Sequence, residues 1–142
     1  MKYLLGAVFL LFVLTSCGFT NYVGLTLPSG EVLKLKVASS AIEKSTGLSG
    51  IPNMQDFDGM LFLFAKPEEA NFWMKDMQFS LDILYLDENR DVLEIHADQQ
   101  PCKNILECPS ITSKTNQIKY VVELASGKAE EYGIEINNKL NW

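Results

Sequence analysis

The feature that most restricts this chain is the way its apolar leader ends, at Leu14-Thr15-Ser16-Cys17-Gly18. Lys2 gives a short positive start, and Tyr3 to Leu14 is almost wholly apolar. A transmembrane helix needs about 20 apolar residues, so this core is short for a span. A charged start, a short apolar core and small residues at its end describe a cleavable signal peptide. Removing residues 1–16 from the 142 leaves 126, enough for one domain with a real core and too few for two. Residues 17–21 then read as a modified terminus and short tether, and 22–142 as the folded unit.

The ending itself resembles a bacterial lipobox, in which a branched residue and two small ones precede the cysteine to be modified. That resemblance implies diacylglycerol on the Cys17 sulfur and cleavage at its amino side. The expected partner is therefore a membrane, and the expected location is the cell envelope, on the outer side of the membrane. Two or three acyl chains hold stably, at ~0.8 kcal/mol per buried methylene. The residue after Cys17 is Gly18 rather than an aspartate, which is compatible with the outer membrane of a two-membrane cell.

Loss of Lys2 with the leader takes the formal net charge from −6 to −7. Phosphate binding rests on clustered Lys and Arg, so an acidic chain with one arginine, Arg90, argues against a nucleic-acid partner. Cys102 and Cys108 remain besides Cys17. Outside the cytoplasm an even, closely spaced pair reads first as a disulfide. Zinc wants about four ligands and the chain has one histidine, while a redox-active pair normally has Cys-x-x-Cys spacing.

Tyr22 to Leu27 and Glu31 to Val37 are rich in strand formers, and Pro28-Ser29-Gly30 turns them into a hairpin. Ser40-Ala41-Ile42-Glu43 is a capping-box pattern opening a short helix that Gly47 ends. Gly59 to Phe64 is a continuous apolar run of strand length, with a loop at Lys66-Pro67-Glu68-Glu69. Further strands are expected over 71–77, 81–86, 91–97 and 118–124, a second short helix over 126–132, and an edge strand at 139–142. Many short strands with little helix predict a single, mainly antiparallel β-sandwich or partly closed barrel.

Alternation over 71–77 would put Trp73, Lys75 and Met77 on one face. Asp82 would share a side with Leu84 and Leu86. A charge in such surroundings must be paired or neutralised, and Lys75 with Asp82 is the obvious pair. These two, with Trp73 and Glu123, are the candidate ligand pocket: apolar, with a few convergent polar groups. The plainer alternative is an ion pair that fixes register, Trp73 as core and Glu123 as a solvated partner of Lys119. Phe62, Phe64 and Phe72 are read as core. His96 alternates with Glu94 and Asp98, from which a metal clasp can be drawn, but a solvated strand face needs less; no metal or cofactor is expected. Neither a nucleophile elbow nor a glycine-rich phosphate loop is present.

Gly59-Met60-Leu61-Phe62-Leu63-Phe64, Phe72-Trp73-Met74-Lys75 and Leu81-Asp82-Ile83-Leu84 resemble the signature of the family called domain of unknown function 192. The resemblance extends back to Gly47-Leu48 and forward to Tyr120–Gly127 and Gly133-Ile134. It implies a small, mostly β domain, often exported, and supplies no catalytic residues. Ser49-Gly50-Ile51, Asp76-Met77, Ala125 and Asn137-Asn138 depart from the family pattern. The expectation is a lipid-anchored extracytoplasmic module for ligand binding or interaction, its ligand unidentified and a small molecule or glycan the candidate partner. The rival is an envelope enzyme using Lys75, Asp82 and Glu123.

Overall fold

The computed structural model describes residues 21–102 and 105–142. The leader and Cys17 lie outside the described residues. The strands are β1 (Tyr22–Thr26), β2 (Val32–Ala38), β3 (Gly59–Glu68), β4 (Asn71–Phe72), β5 (Leu81–Leu86), β6 (Val92–Gln99), β7 (Ile111–Thr112) and β8 (Ile118–Ala125). Two short helices, α1 (Ala41–Thr46) and α2 (Lys128–Glu131), and a 3-10 turn at Ile105–Glu107 complete the described secondary structure.

Six strands form one sheet in the order β1-β2-β3-β8-β5-β6, and β4 pairs β7 in a small second sheet. The fold is mainly β, as the sequence predicts, but the large sheet is mixed. β2 and β3 run parallel, with Leu35 opposite Gly59. The helix between them makes this possible, because parallel neighbours need a crossover and a hairpin cannot supply one. The crossover helix begins as expected. Ser40 Oγ accepts the Glu43 N–H while the Glu43 carboxylate accepts the Ser40 N–H, and the Ser40 and Ser39 N–H donors together hold that carboxyl down at about 2.

β5 is buried at all six positions because both faces of the sheet are covered. On one face Leu25, Leu35, Leu61, Leu84, Val122 and Leu124 pack beneath α2 and the C-terminal tail. On the other, Met60, Phe62, Ile83, Tyr85 and Val121 pack beneath the segments around Leu48, Met74 and Ile111. β1 and β6 do not pair, so no barrel closes. The expected edge strand at 139–142 is instead two bridges, Asp91 to Lys139 and Thr26 to Asn141, by which the tail reaches both edges.

Two further departures have physical causes. β3 runs on through the expected loop to Glu68, with a register irregularity against β8 between Leu63 and Glu68. The expected strand over 71–77 stops after Phe72. Beyond it the chain turns: Asp76 has φ 56°, Ser49 Oγ donates to the Lys75 carbonyl, and Gly50 N–H donates to that of Asp76. Met74 and Met77, three apart, are therefore the buried residues of that stretch.

Candidate functional site

Asp82 and Glu123 are the buried carboxylates of the described residues, and they lie on opposite faces of the sheet. Asp82 pairs in register with Leu124, whereas Glu123 pairs with Ile83. Adjacent positions on a strand point to opposite sides, so the four proposed pocket residues cannot converge.

Asp82 does not meet Lys75. Its two oxygens accept the backbone N–H groups of Asp98 at 2.9 Å and Ala129 at 3.0 Å. Lys75 pairs at 3.9 Å with Asp76 and lies 5.4 Å from the Trp73 ring centroid. The failed strand over 73–77 is the cause, since it removes the alternation that would have aimed Lys75 across the sheet. Trp73 is not core either; 53% of it is exposed.

The two main-chain donors on Asp82 belong to the end of β6 and the start of α2, which flank a cleft of about 620 Å³ at the end of the sheet. Phe57, Phe79 and Tyr132 give the cleft aromatic walls, and Asp58, Asp98 and Ser126 supply polar groups. Asp98 has φ 51°, and its carboxylate accepts the Ser126 hydroxyl at 2.6 Å and the Gln100 amide at 2.8 Å. The cleft was not visible in the sequence, because its walls come from four separate segments. A weak signal existed in Ala125-Ser126-Gly127, where Gly127 at φ 82° turns the chain from β8 into α2.

Asp98 owes its position to a register irregularity. Against β5, residues 83 and 81 face 96 and 99, one residue more on the β6 side. That bulge breaks the alternation on which a Glu94–His96–Asp98 clasp depends. His96 Nε2 instead lies 2.9 Å from Glu94, whose other oxygen accepts the Lys114 N–H at 2.7 Å. Among the described residues no group of three or more His, Cys, Asp or Glu side chains could hold a metal ion.

Glu123 sits between Met60 and Ile83 on the loop-covered face. It is not the solvated partner of Lys119, whose ammonium donates to the Ala65 carbonyl at 2.7 Å. It is 5% exposed, its Oε2 has no hydrogen-bond partner, and burial pushes its carboxyl up to about 8. At neutral pH it is therefore largely protonated. Tyr85, one strand away, donates to the Ile111 carbonyl at 2.7 Å, and burial likewise pushes its phenol up.

Cys102 and Cys108 form a disulfide with Cα atoms 5.2 Å apart. The Cys102 N–H donates to the Met74 carbonyl at 3.1 Å, so the clipped loop is sewn to the turn that follows β4.

The class these features define is a small, mainly β domain with a six-stranded mixed sheet and a polar-and-aromatic cleft at its end. The chain belongs to the family domain of unknown function 192, described as an uncharacterised ACR, whose sequence profile matches residues 25–142. A protein of unknown function from Novosphingobium aromaticivorans has a similar structure, with a TM-score of 0.77 and 27% identity over 89% of each chain. A Sinorhizobium meliloti protein, described provisionally as a transcription regulator, is similar with a TM-score of 0.70 and 27% identity. That match covers 84% of this chain and 91% of the other. No curated protein matches the sequence significantly.

Proposed function

We propose that this protein is a lipid-anchored, extracytoplasmic binding module whose cleft beside Asp98 takes a polyhydroxylated small molecule or glycan. The observation that carries the reading is the cleft itself. Three rings, Phe57, Phe79 and Tyr132, offer faces for the C–H surfaces of a sugar. Asp58, Asp98 and Ser126 offer the acceptors and donors that its hydroxyls need. Ligand sites are commonly built this way, mostly apolar with a few fixed polar groups. Asp82 supports the cleft from behind by holding both of its flanks.

Export and anchoring rest on the leader and on Leu14-Thr15-Ser16-Cys17. A disulfide in the domain is consistent with an oxidising compartment. The rival enzyme needs Lys75, Asp82 and Glu123 to face one substrate, and their separation across the sheet favours binding over that chemistry. The regulator description of the Sinorhizobium protein does not extend easily to this chain, since −7 is a poor charge for DNA.

Calorimetry of the full lipoprotein in detergent against a panel of envelope glycans and their sugars tests the reading. One or more should bind, and Phe79→Ala should abolish binding while the far-ultraviolet circular dichroism is unchanged. Binding that survives Phe79→Ala would move the site elsewhere. Mass spectrometry of the mature protein should find a diacylglyceryl group on an N-terminal Cys17; an intact Met1 would overturn the anchoring.

A further inference from the structure

A second recess lies under α1, away from the cleft, and its chemistry differs. Its inner end is a cavity of about 30 Å³, lined by Gly47, Phe62, Phe72, Trp73, Met77 and Glu123. It shares Lys44, Ser45, Phe62, Phe72 and Trp73 with an outer groove of about 240 Å³ that also reaches Phe64 and Asn71. The inner end therefore has room for a compact head, and the outer groove for an apolar body.

Glu123 lines the inner end, its Oε2 is buried without a hydrogen-bond partner, and a carboxyl left so in an apolar wall carries a desolvation penalty that a ligand can relieve. Aromatic faces add attraction for a cation. The recess already uses them in this way: the Lys44 ammonium lies 5.0 Å from the Phe64 centroid and that of Lys75 lies 5.4 Å from Trp73. Neither lysine takes Glu123, because Lys44 donates to the Leu63 carbonyl at 3.3 Å and Lys75 pairs with Asp76.

We infer that this recess is a binding site for a ligand that carries a compact ammonium head on an apolar body, the head pairing with Glu123 and the body lying along Phe64, Phe72 and Trp73. The inference is independent of the cleft. Binding then displaces the Glu123 proton to solvent, so that the ligand's positive charge replaces it. The groups facing Glu123 bear on that exchange. α1 contributes the Lys44 cation, β5 the neutral phenol of Tyr85, and β3 only Met60 and Phe62. Lys44 opposes a second cation electrostatically, but Lys44 is committed elsewhere and the head sits against a carboxylate.

Benzylamine is the probe, with benzyl alcohol as its neutral counterpart, titrated calorimetrically into the full chain in detergent. Benzylamine should bind and benzyl alcohol should bind at least tenfold more weakly. Its affinity should rise roughly tenfold per pH unit between pH 6 and 7.5, with about one proton released per ligand in buffers of different ionisation enthalpy. Glu123→Gln should flatten that pH dependence. Should that variant be unstable, Trp73→Ala, a change at an exposed ring, should weaken binding roughly three- to tenfold and leave the pH slope intact. No binding, equal binding of the two probes, or an affinity indifferent to pH would each overturn the site. Phe79→Ala should leave benzylamine binding unchanged, so failure here and failure of the glycan cleft are separate results.

Discussion

The carboxylate of Asp82 accepts the backbone N–H of Ala129 at 3.0 Å and, through its other oxygen, that of Asp98 at 2.9 Å. One buried side chain thus ties the bulged end of β6 to the first turn of α2. Asp82→Asn keeps the shape but leaves one acceptor oxygen, and turns an amide N–H₂ toward a backbone donor. Charge-assisted bonds are worth about 1.5–3 kcal/mol each, so the expected loss is about 2–3 kcal/mol. Urea unfolding at constant m measures it, and a change below about 0.5 kcal/mol would remove Asp82 from this role.

Lys75→Met should do far less. The lysine meets Asp76 only at 3.9 Å and its side chain is about one-third exposed, a setting in which pairs contribute about 0–1 kcal/mol. The melting curve should shift by no more than a few degrees. Outright unfolding would mean that the ammonium supports the core.

How much of this was legible follows from which residues acted locally. The hairpin from Tyr22, the Ser40–Glu43 box and the apolar run from Gly59 are short-range signals, and each formed where it was expected. The family signature covered residues 25–142 because it spans those same segments. What escaped was non-local. The strand at Trp73 fails because Ser49 and Gly50, more than twenty residues earlier, hydrogen-bond the carbonyls of Lys75 and Asp76. Asp82 does not take the Lys75 partner that alternation predicts for a related reason, as its partners are main-chain donors from β6 and α2, which no side-chain pattern reveals. The burial of Glu123 is non-local too, because it depends on segments contributed by α1 and by the turn after β4.

Glu123 should also mark the pH dependence of stability. Its carboxyl lies at about 8 folded against 4.5 for the free group, so the native state binds the extra proton. Its contribution is fully present below pH 4.5 and is lost as pH rises toward and through 8, at a limiting slope of about 1.4 kcal/mol per pH unit. Glu123→Gln cannot ionise. The variant should gain on the natural protein progressively between pH 5 and 8 in denaturation experiments, and a constant difference across that range would place the titration elsewhere.

The disulfide makes a separate contribution. A link across six residues restricts the unfolded chain by about 2 kcal/mol. Replacing Cys102 and Cys108 with serine should lower stability by that amount and leave the sheet intact. The unreduced protein should show no reactive thiol from this pair.

Gly59 explains why a glycine opens the apolar strand. A Cβ there would stand 2.4 Å from the Glu123 carbonyl oxygen and 2.8 Å from Leu124 Cδ2, so β3 and β8 touch backbone to backbone at this point. The Leu124 methyl can rotate away, but the Glu123 carbonyl oxygen cannot step aside without parting the ladder, and overpacking of this kind costs about 1–3 kcal/mol or more. Gly50 offers the contrast. It has φ 74° but open space around its Cα, so alanine there meets only the left-handed backbone penalty of about 1–2 kcal/mol. Gly59→Ala should therefore destabilise more than Gly50→Ala in paired urea titrations. It should also disturb the amide signals of Glu123 and Leu124, which Gly50→Ala should leave in place. Equal losses with Glu123 unmoved would mean that the strands can separate at little cost, and that close approach is not what selects glycine at 59.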